Sequence, residues 1–190
     1  MNAFATAHRP ENTMQSDDAA GAGESFPGES LEAARERLVT AIRHSPNQGE
    51  LFLALGHLEM RLENYKAALA AFTSAAALLP KSAAAHSSRA LACQKLGRST
   101  EAAQAAIRAV WLDPCDPAGL KVLARIHLDA GQHEAAEQAC RRVLRGDAQD
   151  AEAGQMMEEA MAQAAKLAEN LFDRRACSAA PPRRMAPRPA

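Results

Sequence analysis

Small and apolar residues recur at helical spacing through residues 49–82, and two later stretches of the same length repeat the pattern. In this first unit they fall three or four residues apart on both sides of a polar break at Glu63 and Asn64, and Pro80 follows the second run. Such a pattern predicts two amphipathic helices joined by a short turn. Superposing 49–82 on 83–116 and on 117–150 aligns Gly56, Ala90 and Ala124, then Ala68, Ala102 and Ala136, then Ala75, Ala109 and Val143. The chain is therefore predicted to repeat one helix-turn-helix unit three times.

The residues that interrupt the helices repeat with the same period. Glu63 superposes on Gly97 and Gly131, and glycine readily takes the left-handed conformation that ends a helix. Pro80 superposes on Pro114, and a proline blocks the continuation of a helix. Because the breaks and the apolar positions share one period, richness in alanine alone does not account for the pattern.

A helix-turn-helix unit that recurs about every 34 residues resembles the tetratricopeptide repeat family. The matching positions are Leu55, Gly56, Ala68, Phe72 and Pro80 in the first unit, Ala90, Ala102, Ala109 and Pro114 in the second, and Ala124 and Ala136 in the third. In the third unit, Cys140, Val143 and Ala148 depart from the aromatic residue, alanine and proline of the family. The resemblance implies an all-α fold, a right-handed α-solenoid of helix-turn-helix tetratricopeptide repeats. It assigns residues 49–82 to repeat 1, 83–116 to repeat 2 and 117–150 to repeat 3.

One further helix is predicted on each side of the three units. Ser30 can cap a helix whose apolar positions continue to His44, and the register makes residues 30–48 half a repeat. Asp116 and Pro117 are likewise typical of the cap and first residue of a helix. Residues 151–172 continue a helical period and resemble the capping helix that such arrays need.

The two ends of the chain are predicted to be disordered. Residues 1–29 form an acidic leader, with five carboxylates against one arginine and too little apolar surface to offset the entropy of ordering. Residues 173–190 form a basic tail rich in proline and arginine. Three alternatives stay open: an acidic interaction tail, a basic tail that binds an acidic partner, and a chain truncated after Phe172.

Composition agrees with a helical protein and adds little about partners. Of the 190 residues, 47% are hydrophobic and only 4% aromatic, which favours closely packed helices over sheets. A formal net charge of -1 points to neither nucleic acid nor membrane. Four cysteines without CxxC spacing, and the lack of an apolar run long enough to span a bilayer, predict a cytoplasmic protein.

Motifs for catalysis or metal binding are missing from the sequence. It has no phosphate-binding glycine loop and no GxSxG motif, and the HExxH-like run that starts at His133 has Glu137 in place of the second histidine. Cys93 and Cys140 fall on repeat positions that are usually apolar and are interpreted as core residues. Trp111 is interpreted as a core or inter-repeat contact. No enzyme activity, cofactor or metal site is therefore predicted.

The resemblance also implies where a ligand would bind, because the first helices of successive tetratricopeptide repeats line a concave groove. The candidate groove residues are Leu53, His57, Arg61, Ser87, Leu91, Lys95, Lys121 and Arg125. Three of these residues, Lys95, Lys121 and Arg125, make the far half of the groove mildly basic, which favours an acidic or amphipathic peptide.

The leading prediction is a non-catalytic protein–protein interaction module that binds a peptide or protein segment in this groove. A second hypothesis is that the array is the recognition or oligomerisation part of a larger bacterial enzyme, such as a glycosyltransferase or methyltransferase. A third is self-association through an uncapped apolar end. The sequence does not identify a partner.

Overall fold

The computed structural model describes residues 30–178, and within this range the chain consists of helices joined by short turns. The helices are α1 Leu31–His44, α2 Gly49–Arg61, α3 Tyr65–Leu78, α4 Ala83–Lys95, α5 Ser99–Leu112, α6 Pro117–Asp129, α7 His133–Gly146 and α8 Ala151–Ser178. None of these helices is long and apolar enough to cross a membrane.

The helices form three hairpins, α2 with α3, α4 with α5, and α6 with α7, flanked by α1 and α8. The first helices α2, α4 and α6 contact one another in succession, and α6 also contacts α8. In the described part of the chain the second helices α3, α5 and α7 make no such contacts with one another. The first helices therefore lie on the inner side of the stack and the second helices on the outer side. This arrangement confirms the predicted all-α solenoid.

One predicted boundary is wrong, because α8 does not end at residue 172. It continues to Ser178, through residues that the sequence analysis assigned to the disordered tail. Those residues contain neither proline nor glycine, and the next proline is Pro181, so nothing in the local sequence ends the helix earlier. The predicted leader, residues 1–29, and the rest of the predicted tail lie outside the described residues.

Side-chain caps begin several helices at the predicted places. Ser30 accepts a hydrogen bond from the Ala33 amide at the start of α1. Asp116 accepts one from Gly119 at 2.7 Å, with Pro117 as the first residue of α6. The residues that superpose on Asp116 in the neighbouring units also act as caps, Ser82 for α4 and Asp150 for α8. A cap satisfies an amide that would otherwise lack a partner at the helix start.

The turn inside each hairpin contains one residue with positive φ. These residues are Glu63 (φ 59°), Gly97 (φ 71°) and Gly131 (φ 70°). They are the three residues that the sequence alignment superposed at the break, which confirms the predicted turn. A non-glycine residue is strained in this conformation, so repeat 1 carries a cost that repeats 2 and 3 avoid.

Glu63→Gly is therefore expected to raise the free energy of unfolding by about 0.5–1 kcal/mol. Urea unfolding of the parent and the variant checks this. Glu63→Ala is the matched control: it removes the same side chain but keeps a Cβ at positive φ, and it should give no gain. An equal gain from both variants would show that the glutamate side chain, and not the backbone conformation, is responsible.

The core of each hairpin depends on small residues where the helices cross. In repeat 1, a Cβ on Gly56 would lie only 2.4 Å from Cε1 of Phe72, so the close approach of α2 and α3 requires a glycine. The same two positions hold Ala90 and Ala106 in repeat 2, which share a buried cluster. In repeat 3 they hold Ala124 and Cys140. Where the first helix has alanine in place of glycine, the facing residue on the second helix is therefore smaller than phenylalanine.

Two of the side chains interpreted from the sequence as core residues are buried. Cys93 and Cys140 are almost fully buried, and this burial raises the pKa of each thiol. Trp111 is different, since 70% of the residue is exposed on α5, and the prediction that it is a core residue is wrong. The repeat period does not distinguish these cases, because a second helix has an outer face as well as a packed one.

Candidate functional site

The eight predicted groove residues lie on the first helices of the three repeats. Leu53, His57 and Arg61 are on α2, Ser87, Leu91 and Lys95 are on α4, and Lys121 and Arg125 are on α6. Within each helix they are spaced one turn apart, which places them along one face. Because α2, α4 and α6 contact one another, these faces form one continuous inner surface.

Most of this surface is accessible, with one exception. His57, Arg61, Leu91 and Lys95 are exposed, and Leu53 is half-buried. Ser87 is only 2% exposed, and its hydroxyl donates to the carbonyl of Ala84 at 3.3 Å in its own helix. Ser87 is therefore a packing residue, and its predicted place on the groove surface is wrong.

His57 lies at the boundary between this surface and the core of repeat 1. Its imidazole packs edge-on against Phe72, with 5.1 Å between ring centroids, and its Nε2 lies 3.5 Å from the hydroxyl of Ser88 on the next repeat. Phe72 and other neighbouring atoms shield part of the ring from water, and this partial desolvation lowers the pKa of His57. Desolvation also lowers the pKa of His86, whose Nε2 lies 3.2 Å from the carbonyl oxygen of Pro80.

These lowered pKa values predict a loss of stability in mild acid. A histidine in the unfolded chain binds a proton below about pH 6.5, whereas His57 and His86 resist protonation while folded. The free energy of unfolding should therefore be highest above about pH 6.5 and fall as the pH drops through the lowered folded values. Urea titrations at a series of pH values check this, and His57→Gln should make the decline shallower. An unchanged slope in this variant would exclude His57 as a cause.

The two predicted cations on α6 are engaged with the carboxylates of α8 and the turn before it. Lys121 Nζ lies 3.1 Å from Asp150 and 2.9 Å from Glu152. Burial lowers the pKa of Lys121, but its bonds with the two carboxylates outweigh this and raise it overall. Arg125 donates to Glu159 at 3.0 Å. Three carboxylates therefore pair with two of the three cations expected to make the far half basic, and only Lys95 has no such partner among residues 30–178.

The α8 carboxylates are neighbours of two predicted groove residues and were not predicted from the sequence. A signal for one of them was present, because Glu159 follows Arg125 by one repeat period and so occupies the equivalent position on the next first helix. The repeat pattern predicts a capping helix that covers apolar surface. Its inner face also carries charge that pairs with the preceding repeat.

The cations that remain available lie at the C-terminal ends of α2 and α4. Arg61 and Lys95 have no hydrogen bond or ion pair with any other described residue. Arg61 follows the half-buried Leu53 by two turns of α2, and Lys95 follows the exposed Leu91 by one turn of α4. The accessible site is therefore an apolar strip with positive charge at one edge.

Two clefts lie away from this strip. One, of about 500 Å³, is formed where the turn before α7 meets Ala164, Leu167 and Ala168 of α8. The other, of about 770 Å³, lies between α3, α4 and α5 and includes Lys66 and Arg89. Neither contains a predicted groove residue. Among residues 30–178, no three His, Cys, Asp or Glu side chains come together as metal ligands.

Stacked two-helix units of equal length define this molecule as a helical repeat protein. Tetratricopeptide repeat sequences match residues 29–83, 53–119 and 94–151, which together cover more than half of the chain. The chain belongs to the tetratricopeptide repeat family. Among curated protein sequences, none matches it.

Several solved structures share this fold at low sequence identity. MamA is 19% identical, with a TM-score of 0.56 over 73% of this chain and 91% of that chain. A tetratricopeptide repeat protein from Parabacteroides merdae is 21% identical, with a TM-score of 0.62 over 72% of this chain and 54% of that chain. The TPR2B domain of yeast Sti1, in a complex with pHsp70, is 21% identical, with a TM-score of 0.55 over 60% of this chain and 97% of that chain.

Proposed function

We propose that the chain binds a segment of a partner protein along its inner face and has no catalytic role. The observation that carries the proposal is the pair of cations without internal partners, Arg61 and Lys95, beside the accessible leucines Leu53 and Leu91. Extended inner surfaces of helical repeats suit elongated ligands, because each repeat adds contacts along the same direction.

The chemistry of this strip defines the kind of segment it fits. An apolar side chain can pack against Leu53 and Leu91, while carboxylates near it form charge-assisted hydrogen bonds with Arg61 and Lys95. Both cations lie in the last turn of a helix, where they also interact favourably with the helix dipole. The helix dipole alone would explain why the two cations lie in the last turn. It does not explain the accessible leucines on the same face, and these favour a ligand with an apolar side chain.

The Sti1 structure supports a binding role, because a domain with this fold is there in a complex with pHsp70. The proposed ligand differs from the C-terminal chaperone tails that one subclass of the family clamps with lysine, asparagine and arginine. The residues at the clamp positions in this chain are Leu53, His57, Ser88, Ala118 and Val122. Since none of these carries the required group, we expect no dependence on a free C-terminal carboxylate.

Comparative capture tests the proposal. Proteins that bind the parent are recovered from a lysate of the source cells and quantified against a variant with Arg61→Glu and Lys95→Glu. Binding of the specific partner should fall about tenfold or more, because each reversal replaces attraction with repulsion. Lys66→Glu with Lys81→Glu is the matched control, since both are exposed lysines outside the inner strip, and it should retain the partner.

Reversal of Lys121 and Arg125 is not a clean test of the same idea. These residues hold α8 through Asp150, Glu152 and Glu159, so their reversal also disturbs the fold. A partner that survives the reversal of Arg61 and Lys95 while the control behaves identically would contradict binding at this strip.

A further inference from the structure

The outer side of the solenoid carries an apolar patch that the fold does not use. On α5, Trp111 is 70% exposed and Ile107 is 59% exposed. The two residues are one helical turn apart and therefore share a face. Tryptophan is enriched among residues that dominate binding energy at protein interfaces, where its large side chain becomes buried.

One arginine contacts this patch directly, and three more lie on the next second helix, α7. The Arg108 guanidinium lies 4.7 Å from the centroid of the Trp111 ring, which is a cation–π contact. Arg141, Arg142 and Arg145 follow Ile107, Arg108 and Trp111 by one repeat period and so occupy the equivalent outward positions on α7. Arg142 donates to the carbonyl oxygen of Pro114 at 2.5 Å, just beyond the end of α5. This bond places Arg142 against the turn that follows α5.

The patch has a one-sided charge. Residues 104–112 and 138–146 contain four arginines and no aspartate or glutamate. Glu137, just before the second range, pairs with Arg141 at 2.6 Å, which leaves the other three arginines without a carboxylate partner among residues 30–178. An apolar centre with a positive rim is complementary to an acidic segment that presents an apolar side chain.

The aspartates that follow these two ranges are engaged in the turns beyond the helices. Asp113 accepts a hydrogen bond from the Cys115 amide at 2.9 Å, and Asp147 accepts one from the Gln149 amide at 3.0 Å. Neither forms an ion pair with an arginine of the patch in the described part of the chain. The positive rim is therefore left for a ligand.

We propose that this outer face, formed by Ile107, Arg108 and Trp111 of α5 with the arginines of α7, is a second binding surface. Its occupant is an acidic segment of a partner protein whose apolar side chain covers Trp111. The surface is separate from the inner strip, because it lies on second helices whereas Leu53, Arg61 and Lys95 lie on first helices. A nucleic acid is the less favoured occupant, since its affinity depends on many phosphate contacts and one of these four arginines is already paired.

The test uses the fluorescence of Trp111, which is the only tryptophan in the chain. The full-length protein is titrated with a short synthetic peptide of glutamates that contains regularly spaced leucines. The expected result is a saturable blue shift of the emission as the leucines cover the indole. Two matched peptides, with glutamine in place of glutamate or serine in place of leucine, should each bind about tenfold more weakly or worse.

Variants locate the effect on the outer face. Arg108→Gln with Arg145→Gln keeps Trp111 and should weaken binding about tenfold, while Arg61→Gln with Lys95→Gln should leave the titration unchanged. Circular dichroism verifies that each variant is folded. An emission that does not respond to the acidic peptide overturns the proposal, and so does an equal response to the glutamine peptide. Tighter binding of a single-stranded oligonucleotide would also overturn the proposal, because it would assign the face to nucleic acid. A blue shift that grows with protein concentration in the absence of peptide would overturn it as well, because it would assign the face to a second copy of the chain.

Discussion

Phe72→Ala is expected to lower the free energy of unfolding by about 3–5 kcal/mol, the usual cost of removing a buried aromatic side chain. Phe72 is only 1% exposed and fills the space between α2 and α3 that Gly56 leaves open. It also supports the His57 ring on the inner face. Chemical denaturation followed by circular dichroism measures the loss.

The pairing of Gly56 with Phe72 makes a sharper prediction about the same position. Gly56→Ala should destabilise the parent by about 1–3 kcal/mol, because the new Cβ would overlap the Phe72 ring. In the Phe72→Ala background the same change should be neutral or slightly favourable, because the ring is absent and alanine favours a helix over glycine.

Gly154→Ala is the matched control for this pair. It replaces a glycine in α8 where an added Cβ has no neighbour within 4 Å, so it should stabilise by about 0.5–1 kcal/mol. If Gly56→Ala cost the same with and without Phe72, the account of the helix crossing would be wrong.

Lys121→Glu is expected to loosen α8 and to destabilise the protein by about 1–2 kcal/mol, between the values for exposed and buried pairs. The new carboxylate would face Asp150 and Glu152, and the Asp150 side chain is only 15% exposed. Asp150 also caps α8 by accepting from the Ala153 amide, so repulsion there acts on the start of the helix. Beneath this contact, Met156 and Ala160 of α8 complete a buried cluster with α6 and α7.

Amide hydrogen exchange locates this effect. In Lys121→Glu, the exchange rate should rise more in α8 than in α2 or α3, each compared with the parent protein. Lys121→Met is the first control, because it keeps an apolar stem but removes the charge, and it should cost less than the reversal. Lys95→Glu is the second control, because Lys95 is exposed and has no ion pair with any residue in the range 30–178. It should change the free energy of unfolding by no more than about 0.5 kcal/mol. Uniform exchange across all helices would mean that α8 does not respond as a separate element.

The sequence was sufficient to predict the helices and their register because local physics repeats in each unit. The positive φ at Glu63, Gly97 and Gly131 and the Asp116 cap are local requirements, and the small residues at Gly56, Ala90 and Ala124 recur where the two helices of each unit cross. The end of α8 was misplaced, where the sequence has no residue that stops a helix.

The surface was harder to predict, because it depends on which side chains meet across helices. Helical spacing placed Lys121 and Arg125 on the inner face, but it did not show that carboxylates of α8 reach them. Ser87 has the spacing of a groove residue, and its short side chain bonds back to its own helix. Trp111 has the apolar character of a core residue and lies on the outer face. In each case the surroundings of the side chain, and not a propensity, decide the role.

The two proposed surfaces separate cleanly in experiments. Loss of a partner on reversal of Arg61 and Lys95 concerns the inner strip, whereas a change in Trp111 emission concerns the outer patch. Either proposal can therefore fail while the other stands. Both surfaces depend on the packing of helices within the repeats, which the Gly56 and Phe72 variants test for repeat 1.

Binding along the inner face is tested most directly by the dissociation constant of a captured partner segment for two variants of the full-length chain. One variant carries Arg61→Glu and Lys95→Glu on the inner strip, and the other carries Lys66→Glu and Lys81→Glu outside it. The first change is expected to weaken binding about tenfold or more, while the second should leave it within about twofold. Equal affinities for the two variants would contradict binding through the inner face.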